Sequence, residues 1–238
     1  MEQFMTPEFW IAVGQIIMID ILLGGDNAVV IALACRKLSP EHRRSGILWG
    51  TAGAIGLRVI LIFFALTLLA IPYLKLVGAV LLLWIGVKLL APDNDDHANI
   101  QASDKLLAAI KTIIVADLVM SIDNVIAIAG AAESAGGDHK MPLVVFGLLV
   151  SIPIIVWGSQ LVIKLMDRFP IIITLGGMLL GWIAGTMAVT DPAVAPYLAE
   201  AAPVGGSTLS YAAGIAGALL VFAVGLVLKK RSESAQAG

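Results

Sequence analysis

The chain has 238 residues, of which 59% are hydrophobic and 13% charged, and its mean hydropathy is +0.97. Soluble globular proteins carry about 25% charged residues, so this composition excludes a water-soluble enzyme and describes an integral membrane protein. The formal net charge of −2 offers no basic surface for nucleic acid, and the single cysteine, Cys35, excludes an internal disulfide or a cysteine-rich metal or redox centre.

A membrane span needs about 20 mostly apolar residues. Seven segments qualify: 9–34, 46–70, 72–91, 106–132, 141–165, 170–189 and 210–228. Each is apolar around most of its circumference, so helices are expected throughout, and the short alternating strands of a barrel are missing.

The first segment contains "MIDILLGGDNAVVIALAC", which places Asp20, Asp26 and Asn27 in hydrocarbon. Asp20 lies about eleven residues into the span, or ~17 Å at 1.5 Å per residue, near the bilayer midplane. Asp20 and Asn27 share a helix face, whereas Asp26 points roughly 120° away in an unbroken helix. Gly24 and Gly25 predict a bend or unwound turn there, which would re-aim Asp26 and free backbone carbonyls.

The second segment holds Arg58, the one cation inside a span. It reads either as a structural counter-ion for one Asp or as a tethered cation that replaces a metal when the site is empty. The connection "PDNDDHANIQASD" reads as a solvated acidic linker. The fourth segment, with "ADLVMSIDNVIAIA", adds Asp117, Asp123 and Asn124. Pro153 predicts a kink in the fifth. Gly177, Gly181 and Gly185 in the sixth form a small-residue stripe for close helix packing. Gln15 and Gln160 read as packing residues or extra ligands.

Lys and Arg fix the orientation. Arg36, Lys37, Arg43, Arg44, Lys88, Lys105, Lys111, Lys164, Arg168, Lys229, Lys230 and Arg231 fall on one side of the membrane if the N-terminus is outside; Lys75 and Lys140 fall on the other. The positive-inside rule therefore predicts an outside N-terminus and a cytoplasmic C-terminus.

"IDILLGGDNAVVIA" from Ile19 aligns with "ADLVMSIDNVIAIA" from Ala116, matching Asp20, Asp26 and Asn27 with Asp117, Asp123 and Asn124 at a constant offset of 97. The offset also matches Gly50 with Gly147, and an offset of 98 matches Gly78 with Gly176 and Trp84 with Trp182. The fold class expected is an all-α membrane protein with seven transmembrane helices, built as two three-helix repeats and one extra C-terminal helix. The first repeat spans 1–91 and is followed by an acidic cytoplasmic loop, 92–105; the second, inverted repeat spans 106–189 and is followed by an extracytoplasmic loop, 190–209; the seventh helix and a basic cytoplasmic tail occupy 210–238. An odd number of spans per repeat inverts the second copy, the plan of secondary transporters with a site at the repeat interface.

An intramembrane Asp costs about 2.5–3.5 kcal/mol to insert, and four cost on the order of 10–14 kcal/mol. Helix-bonding polar side chains return about 0.6 kcal/mol each, too little to offset this. The repeated Asp and Asn side chains supply only oxygen donors, which suit Mg²⁺, Ca²⁺ or Mn²⁺. A proton relay could use the same carboxylates. The three histidines, His42, His97 and His139, lie in loops, which disfavours zinc, copper and nickel. No Walker, dinucleotide-binding, nucleophile-elbow or zinc-protease motif occurs, so no enzyme activity and no resident cofactor are expected.

The twin motifs "DILLGGDNAVVIA" and "DLVMSIDNVIAIAG", in a chain this short, resemble the TerC family of integral membrane proteins, grouped with the LysE transporter superfamily. The likeness is greatest to its YjbE-type bacterial branch. The resemblance covers residues 9–228. It implies a bacterial inner-membrane protein that exports Mn²⁺ from the cytoplasm, with a link to tellurium resistance. By motif match it places Asp20, Asp26, Asn27, Asp117, Asp123 and Asn124 at the metal site. A non-transporting scaffold of a stress-resistance complex and a proton-coupled carrier of another small solute are the alternatives. The expected partners are a divalent cation and the lipid bilayer.

Overall fold

The computed structural model describes residues 7–64, 68, 71–91, 102–134, 140–201 and 206–236. Side chains are described for all of these except 7–9, 12, 19, 21–24, 123, 125–134, 140–143, 199–201, 206–207 and 232–236. Among the described residues all regular structure is helical: α1 (Pro7–Cys35), α2 (Pro40–Phe63), α3 (Leu74–Leu90), α4 (Ala102–Ser134), α5 (Lys140–Arg168), α6 (Ile171–Val189), α7 (Ala195–Ala201) and α8 (Gly206–Gln236). In a solvent without hydrogen-bonding capacity, the helix satisfies each backbone group within its own segment.

Four helical stretches among the described residues are long and apolar enough to cross a bilayer: Pro40–Phe63, Val144–Arg168, Ile171–Val189 and Thr208–Arg231. Large apolar side chains face outward, including Trp49, Phe63, Trp84 and Trp157. The buried helix contacts use smaller residues. Gly181 and Gly185 of α6 lie against the backbone carbonyls of Gly217 and Ala213 of α8, so close that a Cβ on either glycine would collide. Two glycines of the predicted stripe, Gly181 and Gly185, therefore form the α6–α8 seam, while Gly177 lies against Leu90 of α3.

Two apolar clusters mark the ends of the helix group formed by α1, α2, α4 and α5. At one end Val13 and Ile16 of α1 pack with Leu61 and Ile62 of α2, Val144 and Leu148 of α5, and Leu118 of α4. At the other, Ile31 and Cys35 of α1 pack with Ile47 of α2, Ala109 and Ile113 of α4, and Ile163 and Met166 of α5. The C-terminal end of α1 thus meets the first turns of α4, so α1 and α4 run in opposite directions, as do α2 and α5. Two glycines seat these contacts: Gly50 lies against Ile113, and Gly147 lies against Ile16.

Three details differ from the sequence reading. First, α1 is one continuous helix through Gly24 and Gly25, so no unwound turn frees carbonyls there. A glycine inside a helix costs only about 1 kcal/mol, less than leaving backbone groups open in hydrocarbon. Second, α4 begins at Ala102, ahead of the expected 106, and a short helix, α7, interrupts the expected loop 190–209. Of the acidic linker, residues 92–101 lie outside the described residues. Third, the start of α3 is capped from a distance. Tyr73 takes a left-handed conformation (φ 66°), and the carboxylate of buried Asp191, after α6, accepts backbone N–H groups from Tyr73 (3.0 Å), Leu76 (3.1 Å) and Ala193 (2.8 Å). Burial pushes the Asp191 carboxyl up, but these bonds and that of Lys75 outweigh it and hold it below the usual carboxylate range.

Candidate intramembrane cation site

Midway between the two apolar clusters lies a charged group with almost no solvent contact. Asp20, Arg58 and Asp117 are 1%, 1% and 6% exposed. Arg58 Nη1 donates to Asp20 Oδ1, and Nη2 donates to Asp117 Oδ1 at 2.5 Å. Arg58 Nε donates to the Ser121 hydroxyl at 3.0 Å, and that hydroxyl donates onward to Asp117 Oδ2 at 3.1 Å. Three helices supply the group: α1 gives Asp20, α2 gives Arg58, and α4 gives Asp117 and Ser121. The buried charges persist because each is paired and hydrogen-bonded; a lone one would cost several kcal/mol.

Some polar atoms remain unsatisfied. Asp20 Oδ2 and both amide atoms of buried Asn27 have no hydrogen-bond partner among the described residues. Asp26 is only half-buried, and its Oδ1 accepts the N–H of Asn27 at 2.9 Å.

The structure brings together two of the six expected ligands directly, Asp20 and Asp117, through Arg58. Asp26 and Asn27 follow Asp20 on a continuous helix, so they lie about 9 and 10.5 Å further along its axis. Among the described residues no three His, Cys, Asp or Glu side chains form a metal-holding group, so Asp20, Asp26 and Asp117 are not one compact cluster. Asp26 lies at a different level of α1 from the Asp20–Asp117 pair. Asn124 is partly buried and partnered. Asp123 has no described side chain, and its place in the site lies outside the described residues. Gln15 and Gln160 are exposed, Gln160 beside Arg43, Arg44 and Lys164; neither belongs to the buried triad.

Sequence reasoning gave Arg58 a single Asp partner and passed over Ser121 as a ligand of the arginine. The signal was present: Ser121 stands one helical turn after Asp117, on the same face.

Apolar helices long enough to cross a bilayer, with a charged group buried among them, define the class: an integral membrane protein. The chain belongs to the Integral membrane protein TerC family, whose profile matches residues 5–233. The uncharacterized membrane protein YjbE of Bacillus subtilis (strain 168) is 41% identical over 196 residues, covering 82% of this chain and 87% of that protein. The uncharacterized membrane protein YceF of the same organism is 24% identical, covering 79% and 74%. The UPF0053 inner membrane protein YgdQ of Escherichia coli (strain K12) is 22% identical, covering 69% and 74%. No solved structure matches this chain.

Proposed function

We propose that this protein is a secondary transporter that exports divalent cations, Mn²⁺ foremost, from the cytoplasm through the Asp20–Asp117 site. The observation that carries the reading is the meeting of these two carboxylates, from separate helices, deep between apolar ends. Oxygen donors without thiol or imidazole suit hard divalent ions. Mn²⁺ and the outward direction come from the family resemblance.

The proposal includes seven spans, an inverted repeat, and an outside N-terminus. The packing supports the repeat. Gly50 seats Ile113 and Gly147 seats Ile16, and these four residues interchange under the offset of 97 that relates the twin motifs. The antiparallel course of α1 and α4 fits inversion. In that orientation Asp26 and Asn27 lie toward the cytoplasmic side of the central pair and Asn124, further along the antiparallel α4, toward the outer side. A cation that reaches carboxylate ligands displaces any protons they hold, so the proposal includes exchange for protons to the extent that these carboxylates are protonated in the unloaded protein.

The paired triad also fits a scaffold that uses the ions for structure. Mn²⁺ uptake into inverted vesicles holding the purified protein separates the two. Uptake that Asp20→Asn abolishes supports transport. No uptake of any divalent cation by well-folded protein overturns it in favour of the scaffold.

A further inference from the structure

Arg58 commits all three guanidinium nitrogens to the site: Nη1 to Asp20, Nη2 to Asp117 and Nε to Ser121. A cation held between the Oδ1 atoms of Asp20 and Asp117 would need the place that the guanidinium fills, so the two exclude each other. We propose that Arg58 is a displaceable internal counter-ion that sets the charge selectivity of the site: it occupies the cation position in the unloaded protein, and only a divalent ion expels it. The inference rests on the cation-site reading above and adds the residue that decides which ions enter.

Charge counting supports it. Among the described side chains of the site, Asp20, Asp26 and Asp117 are acidic and Arg58 is basic; with their ordinary charges they leave an excess of two negative charges that one divalent ion balances. A monovalent ion brings no more charge than the guanidinium and lacks its directed N–H donors. It therefore gains nothing by replacing Arg58. A divalent ion doubles the attraction to both carboxylates.

The expelled side chain has a destination. Among the described side chains, Asp26 is a third carboxylate that acts electrostatically on Arg58. Side chains on a helix lean toward its N-terminus. The N-terminal end of α2 lies with the C-terminal end of α1, which is the direction of Asp26 from Asp20. A swing of Arg58 toward Asp26, one level along α1, exchanges the central pair for it. Its return on unloading drives the ion off.

The test is Mn²⁺ binding and Mn²⁺ transport by the full-length protein in lipid nanodiscs and vesicles, each with and without a large excess of K⁺. The parent should bind Mn²⁺ with little effect of K⁺. Arg58→Gln should bind Mn²⁺ roughly tenfold tighter or more, the equivalent of about 1.4 kcal/mol, and K⁺ should now compete. Its transport should show a lower KM for Mn²⁺ together with a lower kcat, since nothing displaces the ion. Arg58→Lys keeps a point charge without the fork; it should bind Mn²⁺ more tightly than the parent while still resisting K⁺, and it decides the matter if Arg58→Gln does not fold.

Unchanged Mn²⁺ affinity and K⁺ resistance in folded Arg58→Gln, or weaker Mn²⁺ binding in folded Arg58→Lys, overturns the inference. Parent binding that Asp20→Asn removes but the Arg58 variants leave alone overturns only this inference. A parent that binds no divalent ion overturns the cation-site reading and this one with it.

Discussion

Asp20 of α1 and Asp117 of α4 accept hydrogen bonds from the two terminal nitrogens of one guanidinium, that of Arg58. The two carboxylates are therefore balanced by a single charge and coupled through it. A change at either one alters the other's share of that charge, and the site behaves as a unit.

The first prediction follows from this coupling. Asp20→Asn or Asp117→Asn keeps the size of the side chain and an acceptor oxygen for Arg58, but removes half of the negative charge facing the guanidinium. Folding should survive with a loss of about 1–3 kcal/mol, while Mn²⁺ flux in vesicles falls to background. Monodispersity in detergent reads the first and Mn²⁺ uptake the second. Parental flux from either folded variant would remove the pair from the transport path.

Metal preference is the second. With oxygen donors and neither imidazole nor thiol at the buried triad, Mn²⁺ should be preferred to Zn²⁺ against the usual affinity order. In a competition assay at equal concentrations, Zn²⁺ should inhibit Mn²⁺ uptake no more than Mg²⁺ or Ca²⁺ does. Stronger inhibition by Zn²⁺ would point to a softer ligand in the path.

The third concerns the α6–α8 seam. Gly185 faces the carbonyl of Ala213 with no space for a Cβ, whereas Gly56 of α2 has nothing within 4 Å of one. Gly185→Val should lower thermal stability by about 1–3 kcal/mol or prevent folding. Gly56→Ala should be neutral or stabilising by roughly 0.5–1 kcal/mol, because alanine is the better helix former. Thermal unfolding in detergent compares the two, and equal effects would refute the seam.

The last prediction concerns the cap on α3. In Asp191→Asn an amide NH₂ replaces one carboxylate oxygen, so one of the N–H groups of Tyr73 or Leu76 loses its acceptor. Stability should fall by about 2 kcal/mol. The sign of the pH effect follows from the lowered folded pKa of Asp191. Its contribution is fully present above the unfolded value of about 3.9 and is lost as pH falls through that value toward the folded one. The stability gap between parent and Asp191→Asn should thus be constant from about pH 5 to 8 and shrink below about pH 4. A gap that widens on acidification would show that the carboxylate is not the cap.

The sequence alone determined the solvent of this protein, its helical class and the residues worth watching. Hydrocarbon imposes its demand on composition, so apolar runs, the twin Asp-Asn motifs and the glycine stripe are all local signals. Each of the seven expected spans contains a helix, that of the second ending at Phe63 short of the expected 70, and four helical stretches among the described residues are long and apolar enough to cross a bilayer; of the stripe, Gly181 and Gly185 lie against α8 and Gly177 against Leu90 of α3.

What only the tertiary structure decided is which side chains meet. Arg58 serves two carboxylates and not one, Ser121 joins them, Asp191 caps α3 from beyond α6, and Asp26 stands at a level apart from Asp20. The reason is physical. A helix that is apolar on every side has no polar stripe to reveal its rotation. Its rotation and register are fixed by packing against neighbours, here glycines against Ile16, Ile113 and the α8 backbone. Pairings between distant residues follow from that packing, and a linear pattern of residues does not contain it.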